Sequence, residues 1–266
     1  MTIPFAQRSF PEIYEQSLVG PLFRPWADLT LDEVHLRPGD RVLDVACGTG
    51  IVARQARARL GEAGTVVGVD VSAPMLAVAR RAAPSIDWRE GEAAALPLRE
   101  GEQFDVVICQ QGLQFFADRC TPVREMYRAL AEGGRLAVST WRPDDEMPFG
   151  RELRRIAEHH LGPVVDRRHC FGETGPLEAV LRDAGFRHVE SKTYSRTVRF
   201  DDGTMFVRLN TTALVGMSQM GKTLSDDERQ RLVQVITRDS EDVRRQYTVN
   251  DELAFEMRSN IARGTK

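Results

Sequence analysis

The sequence predicts an α/β fold: a doubly wound, mostly parallel sheet with helices on both faces. Two observations lead there. Apolar runs of strand length alternate with amphipathic helical stretches from residue 41 to about residue 200. The first such run, Val42-Leu43-Asp44-Val45, breaks into a glycine-rich turn, Ala46-Cys47-Gly48-Thr49-Gly50, that opens a helix. A chain of 266 residues, 42% hydrophobic and 28% charged, is long enough for one generous domain of this kind with helical additions.

The strands are expected at Arg41 to Val45, Val66 to Asp70, Ile86 to Glu90, Phe104 to Cys109 and Arg135 to Trp141, the last after a Gly133-Gly134 turn. His188 to Phe200 alternates as a sixth strand, and the run Leu253-Ala254-Phe255-Glu256-Met257 returns to the sheet as a seventh. Between them, Val52, Ala56 and Leu60 mark one helix face. Ser72 is placed to cap a second helix, with Pro74 just inside it and Met75, Leu76 and Ala79 on the buried stripe. Thr121-Pro122 starts a third helix, and Leu177, Val180, Leu181 and Ala184 form a fourth that Gly185 closes. After residue 200 the pattern turns helical, with the capping box Ser225-Asp226-Asp227-Glu228 ahead of Leu232, Val233, Val235 and Ile236. We therefore expect one domain over 1–266: an N-terminal helical cover (1–38), a Rossmann-like core (39–200), a helical insert or cap (201–248) and a final strand and tail (249–266).

Gly48 and Gly50 can take positive φ and let backbone meet a ligand where a Cβ would collide. With Ala53 the spacing also satisfies the dinucleotide pattern G-x-G-x-x-G/A, so glycines alone leave an NAD oxidoreductase open. Charge argues against it, because a pyrophosphate on this turn would face the Asp44 carboxylate. A ligand carrying a cation suits Asp44, and Asp70, which closes the next strand, is placed to accept from two ribose hydroxyls. A nucleoside bearing an ammonium group describes S-adenosylmethionine.

At this point the chain resembles a family, the class I S-adenosylmethionine-dependent methyltransferases. The likeness runs over about residues 10–200: the glycine turn, Thr65-Val66-Val67-Gly68-Val69-Asp70-Val71-Ser72, Glu90-Gly91-Glu92-Ala93, Phe104-Asp105-Val106-Val107-Ile108-Cys109-Gln110-Gln111 and Leu130-Ala131-Glu132-Gly133-Gly134-Arg135-Leu136. Order and spacing look like the ubiquinone/menaquinone-type, or type-11, branch. Ala46 departs from the glycine the family often has there. The resemblance implies a seven-stranded sheet whose last strand is antiparallel. It implies S-adenosyl-L-methionine as cofactor, with Asp44, Ala46, Cys47, Gly48 and Gly50 at the turn and Asp70 and Val71 at the ribose. Met75, Gly91, Glu92 and Ala93 would lie at the adenine, and Gln110 and Gln111 would face the crevice, one of the two beside the methionyl group.

The expected reaction is methyl transfer to oxygen, carbon or nitrogen of a small, partly apolar molecule by in-line displacement. Positioning two reactants contributes on the order of 7–11 kcal/mol, whereas a general base adds about 10²–10⁴-fold and is needed only if the acceptor must lose a proton. His159 and His160 are candidates for that base; adjacent helical residues point about 100° apart, so at most one faces the site. Tyr14 is a further candidate, while Tyr14 and Trp26 could equally anchor the first helices. One cover of the open sheet end is expected from the N-terminal region, another from residues 142–172 with the helical insert near 204–245. Leu113, Phe115 and Phe116 wall the acceptor or pack inward.

No residue is unmistakably catalytic, which leaves a non-catalytic S-adenosylmethionine-binding scaffold or sensor as an alternative; no Tyr-x-x-x-Lys pair supports the oxidoreductase. A net charge of −3 argues against nucleic acid. Cys47, Cys109, Cys120 and Cys170 lack C-x-x-C spacing, and His169-Cys170 lacks the companions a metal site requires, so neither disulfides nor a metal are expected. No apolar stretch reaches the roughly 18 residues that suggest a membrane span, and Met1-Thr2-Ile3-Pro4-Phe5 lacks a leader pattern, so a cytoplasmic protein is expected; a homo-oligomer stays open.

Overall fold

The computed structural model describes residues 9–266. The Met1-Thr2-Ile3-Pro4-Phe5 start, and with it part of the expected 1–38 cover, lies outside the described residues. In chain order the elements begin with α1 (Phe10–Tyr14), a π-helical stretch (Glu15–Phe23), α2 (Arg24–Glu33), β1 (Arg41–Val45), α3 (Ile51–Leu60), β2 (Thr65–Asp70), α4 (Ala73–Ala82), β3 (Asp87–Glu90), β4 (Phe104–Gln110), α5 (Cys120–Ala129) and β5 (Leu130–Trp141). They continue with α6 (Pro148–Leu161), α7 (Thr174–Asp183), β6 (Arg187–Phe200), α8 (Gly203–Met217), α9 (Gln219–Thr223), α10 (Asp226–Asp239), α11 (Glu241–Gln246), β7 (Thr248–Val249) and β8 (Glu252–Thr265). They gather into two compact units. The first holds the chain up to Thr140 with Gly172–Thr193 and Ser259–Lys266; the second holds Trp141–Phe171 and Tyr194–Arg258.

In the sheet the strands run in the order β3-β2-β1-β4-β5-β8-β6, with β7 paired to β8. The β1 to β5 ladders are parallel, with Leu43 opposite Val67, Val42 opposite Val106, Val69 opposite Arg89 and Gln110 opposite Ser139. β1 lies inside the sheet between β2 and β4, and Val42, Leu43 and Val45 are fully buried, as the continuous apolar run of a two-sided parallel strand requires. The last strand is antiparallel to its neighbours. Lys266 N–H bonds Gly134 O near the start of β5, while Ser259 Oγ–H bonds Thr140 O near its end. Thr265 Oγ1 reaches Arg187 O at one end of β6, and Thr193 Oγ1 reaches Asn260 Oδ1 further along it.

Three boundaries differ from the sequence reading for local reasons. β5 starts at Leu130, and Gly133-Gly134 takes up a bulge rather than a preceding turn: pairing with β4 slips between Phe104↔Leu130 and Val106↔Arg135, with Gly133 at φ 72°. The last strand is far longer than 253–257, and Asn250 and Asp251, both at positive φ, form a two-residue hairpin loop that adds the short β7. In the N-terminal helices, Pro21 offers no N–H and the ladder widens, so that Arg24 N–H reaches back to Val19 O.

Helix ends follow the caps expected for them. Ser72 Oγ accepts from Met75 N–H at the start of α4, and Ser225 with Glu228 closes a capping box on α10. Within the second unit, α6, α8 and α10 bury Ala157, Leu161, Leu214, Val215, Val233 and Ile236 against one another. Phe149, Phe200, Phe206, Tyr247 and Phe255 form an aromatic cluster with centroids as close as 4.4 Å. The two segments paired in the sequence reading, 142–172 and 204–245, thus fold together.

In the first unit Trp88 of β3 lies flat across β2: a Cβ at Gly68 would come within 2.3 Å of its ring, and one at Gly50 within 2.2 Å. Its indole N–H is spent on Ala83 O at 2.8 Å, which fixes the plane. Gly68→Ala is therefore expected to overpack the layer and lower stability by about 1–3 kcal/mol, read as a fall in the urea midpoint at constant m-value.

Candidate functional site at the glycine turn

β1 ends on Asp44, whose side chain is 1% exposed and accepts from Ala53 N–H, on α3, at 3.0 Å. The turn that follows alternates in hand. Ala46 (φ 57°), Gly48 (φ 57°) and Gly50 (φ 87°) are all left-handed, with Cys47 and Thr49 buried between them. Cys47 N–H bonds Val69 O and Gly50 N–H bonds Cys47 O, so the loop is tied to β2 and to itself. Ala46 adopts a conformation that costs an L-residue about 1–2 kcal/mol. Its methyl packs over Gly112, where a Cβ would come within 2.8 Å of it.

Asp70 at the end of β2 bridges two backbone donors. Oδ2 accepts from Gly48 N–H at 2.7 Å and Oδ1 from Ser72 N–H at 2.8 Å, joining the glycine turn to the first turn of α4. Val71, beside it, is 67% exposed although apolar. Met75 is half-buried on α4. Gly91 N–H bonds Asp70 O and Ala95 N–H bonds Glu92 O, which holds Gly91, Glu92 and Ala93 at the adjoining strand end, with the Glu92 side chain exposed.

Burial is the main force on the acids and thiols here. It pushes the Asp44 carboxyl up to about 8, against the pull of the Ala53 N–H and with a further push from the Asp70 charge. Burial also raises the Cys47 thiol, and lifts the Cys109 thiol to about 12, so both stay protonated. Tyr14 belongs to the same neighbourhood: its phenol is raised by burial first, then by the charges of Glu15 and Asp70. Its ring packs against Phe23, tilted, with centroids 5.1 Å apart, and Glu15 is bonded to Arg54 of α3.

The structure thus brings Tyr14, Asp44, Ala46, Cys47, Gly48, Gly50, Asp70, Val71, Met75, Gly91, Glu92 and Ala93 to the carboxyl edge of one sheet. Gln110 and Gln111 follow at the end of β4 with their amides already committed. Gln110 donates to Phe23 O and accepts from Thr30, while Gln111, at φ 54°, donates to Ser259 Oγ and accepts from Gln114. Leu113 is core, and Phe115 is exposed. His159 and His160 lie on α6 in the second unit; His159 is exposed, and His160 Nε2 bonds Asp239 of α10 at 2.9 Å. The sequence reading missed Trp88, which is why Gly50 and Gly68 must lack side chains. A glycine inside a strand pattern was the available signal.

Comparison with known proteins fits this geometry. Residues 42–134 match a family model described as a methyltransferase domain. A 2-phytyl-1,4-naphtoquinone methyltransferase of Thermosynechococcus vestitus is 37% identical over 188 residues, covering 64% of this chain and 82% of that one. The chain belongs to the class I S-adenosylmethionine-dependent methyltransferases, in their ubiquinone/menaquinone branch. A demethylmenaquinone methyltransferase of Thermus thermophilus is 39% identical to this methyltransferase over 179 residues, covering 60% and 80% of the two chains. Among solved structures, a Haemonchus contortus phosphoethanolamine N-methyltransferase aligns with TM-score 0.58 at 19% identity, over 96% of this chain and 56% of that one. A methyltransferase of Aquifex aeolicus aligns with TM-score 0.52 at 21% identity, over 69% and 91%. At such identities the structural likeness establishes the fold.

The methyltransferase uses S-adenosylmethionine and transfers its methyl group to a small molecule, which sets aside both the oxidoreductase and the non-catalytic scaffold. Among the described residues no helix is long and apolar enough to cross a membrane, and no group of three His, Cys, Asp or Glu is placed to hold a metal ion.

Asp44 makes stability depend on pH. Its folded pKa of about 8 stands above the ordinary value of 3.8, so the folded chain keeps a proton that the unfolded chain releases. The wild type should then lose stability as pH rises between those values, with a limiting slope of about 1.4 kcal/mol per pH unit. Asp44→Asn, which keeps an oxygen for Ala53 N–H, should flatten that slope in urea melts run from pH 5 to 8.

Proposed function

We propose that the glycine turn with Asp44 and Asp70 holds S-adenosylmethionine, and that the methyl acceptor is a ring compound of the quinone class. The carrying observation is electrostatic: two carboxyl groups stand at one turn, bonded among the described residues to backbone N–H groups alone, and the ligand supplies a cation for them. The alternating left-handed residues keep side chains away from a ligand laid on the turn, which suits a nucleoside packed against backbone. Asp70 has lone pairs left for the ribose hydroxyls. Exposed Val71 and half-buried Met75 offer apolar contact for the adenine, and Gly91, Glu92 and Ala93 its polar edge. Gln110 and Gln111 shape the wall beside the methionyl group, with amides held by their neighbours. The quinone class is supported by the names of the relatives, and the exposed Phe115 suits a flat ring.

The bound cofactor supplies a methyl group activated by its sulfonium, so the chain's own task is mostly to position the acceptor in line with it. Tyr14, packed on Phe23 and close enough to Asp70 to feel its charge, has a phenol that keeps its proton at physiological pH and can serve that task as a hydrogen-bond donor. His159 and His160 carry no part of the chemistry in this reading, one being exposed and the other bonded to Asp239.

Calorimetry with S-adenosylmethionine tests the assignment. Asp70→Ala should weaken binding at least tenfold while His159→Ala leaves it unchanged, and equal affinities for Asp70→Ala and wild type overturn the ribose role.

A further inference from the structure

Within the second unit, α8 and α10 share the apolar seam of Leu214, Val215, Val233 and Ile236. The same two helices border a cavity of about 330 Å³. It is lined by Thr204 and Arg208 of α8, by Gln234, Thr237 and Arg238 of α10, and by Glu241 at the start of α11. Thr204 and Arg208 stand four residues apart, as do Gln234 and Arg238, so each pair lies on one side of its helix. No residue of the glycine turn takes part.

The cavity has cationic nitrogen to spare. The Arg208 guanidinium has no hydrogen bond or ion pair among the described residues, its carbonyl oxygen alone accepting from a side chain, Thr212 Oγ1. Arg238 gives Nε to Asp239 Oδ1 at 3.2 Å, which leaves both terminal nitrogens without a partner among the described residues. Asp239 is shared further, through Oδ2, with His160 at 2.9 Å. Glu241, the acid on the lining, is spent on Arg244 at 2.6 Å and Arg245 at 3.1 Å, and the Arg244 bond holds its carboxyl down at about 2. Thr237 adds a buried hydroxyl with no partner among the described residues, although a helical threonine has the carbonyl four residues earlier within reach.

We propose that this cavity binds a small organic phosphate monoester. Guanidinium forks match the oxygens of a phosphate, and two of them on neighbouring helices can share its three terminal oxygens. Inorganic phosphate alone would leave most of the space unfilled, because the volume falls at the lower end of the roughly 300–1,000 Å³ typical of small-molecule pockets. The methylene stems of Arg208, Gln234 and Arg238 and the methyl groups of Thr204 and Thr237 offer apolar wall to the organic body. The assignment does not rest on the reading of the glycine turn: every lining residue belongs to the second unit, and the turn belongs to the first.

Calorimetry of the full chain with phenyl phosphate tests this, with inorganic phosphate and benzoate for comparison. Wild type should bind phenyl phosphate more tightly than either. Arg208→Gln and Arg238→Gln should each weaken that binding by about tenfold or more, with thermal midpoints unchanged because both side chains are exposed. Arg208→Lys, which keeps the charge and loses the fork, should fall between Arg208→Gln and wild type. A wild type that binds no phenyl phosphate overturns the assignment, as does an affinity that survives Arg208→Gln. Benzoate bound as tightly as phenyl phosphate overturns phosphate as the recognised group, and inorganic phosphate bound as tightly overturns the organic body.

Discussion

Two acids share one turn, and among the described residues no cation is bonded to either. Cationic side chains are abundant in this chain, which has 36 lysines and arginines, and they engage acids throughout it. Arg89 grips Asp87 and Glu102, Arg135 grips Asp40, and Arg41 grips Asp105. Yet Asp44 and Asp70, at the ends of β1 and β2, take only backbone N–H groups among the described residues. A buried carboxyl left so responds by holding a proton, which is what Asp44 does. The turn is poised to favour a ligand that brings positive charge, and it would oppose a diphosphate.

The turn's shape depends on the layer beneath it. Trp88 fills the space that side chains at Gly50 and Gly68 would need, so those glycines are fixed by packing as much as by any ligand. Asp70 then couples this rigid base to α4 through Ser72, and its charge reaches the Tyr14 phenol in the N-terminal helices. Ala46 carries the local strain, with its methyl against Gly112 instead of open space. A change in the packing behind the turn therefore reaches the backbone face in front of it, where the proposed ligand would lie.

Much of this was legible in sequence because it is local. The apolar runs, the Ser72 and Ser225 caps and the glycine spacing each act within a few residues, and the mostly parallel sheet with an antiparallel last strand followed from a family resemblance tied to those motifs. What escaped depended on partners distant in the chain. The Gln110 and Gln111 amides looked free for ligand until Phe23, Thr30 and Ser259 arrived from 87, 80 and 148 residues away. His169 looked like half of an incomplete metal pair, and its Nδ1 lies within hydrogen-bond distance of the Arg142 carbonyl, 27 residues earlier. His159 and His160 drew attention by adjacency on a helix, which says nothing about the Asp239 that binds one of them. The Asn250-Asp251 hairpin was local and still missed, because the apolar run after it was taken as the whole strand.

The most direct test of the electrostatic account is calorimetry of S-adenosylmethionine binding at pH 7 in buffers of different ionisation enthalpy. A cation placed by the Asp44 carboxyl should lower its pKa from about 8 and expel its proton. Wild type should then release up to about one proton more per site than Asp44→Asn. Equal proton release by the two proteins would contradict the claim that this buried acid meets the charge of the cofactor.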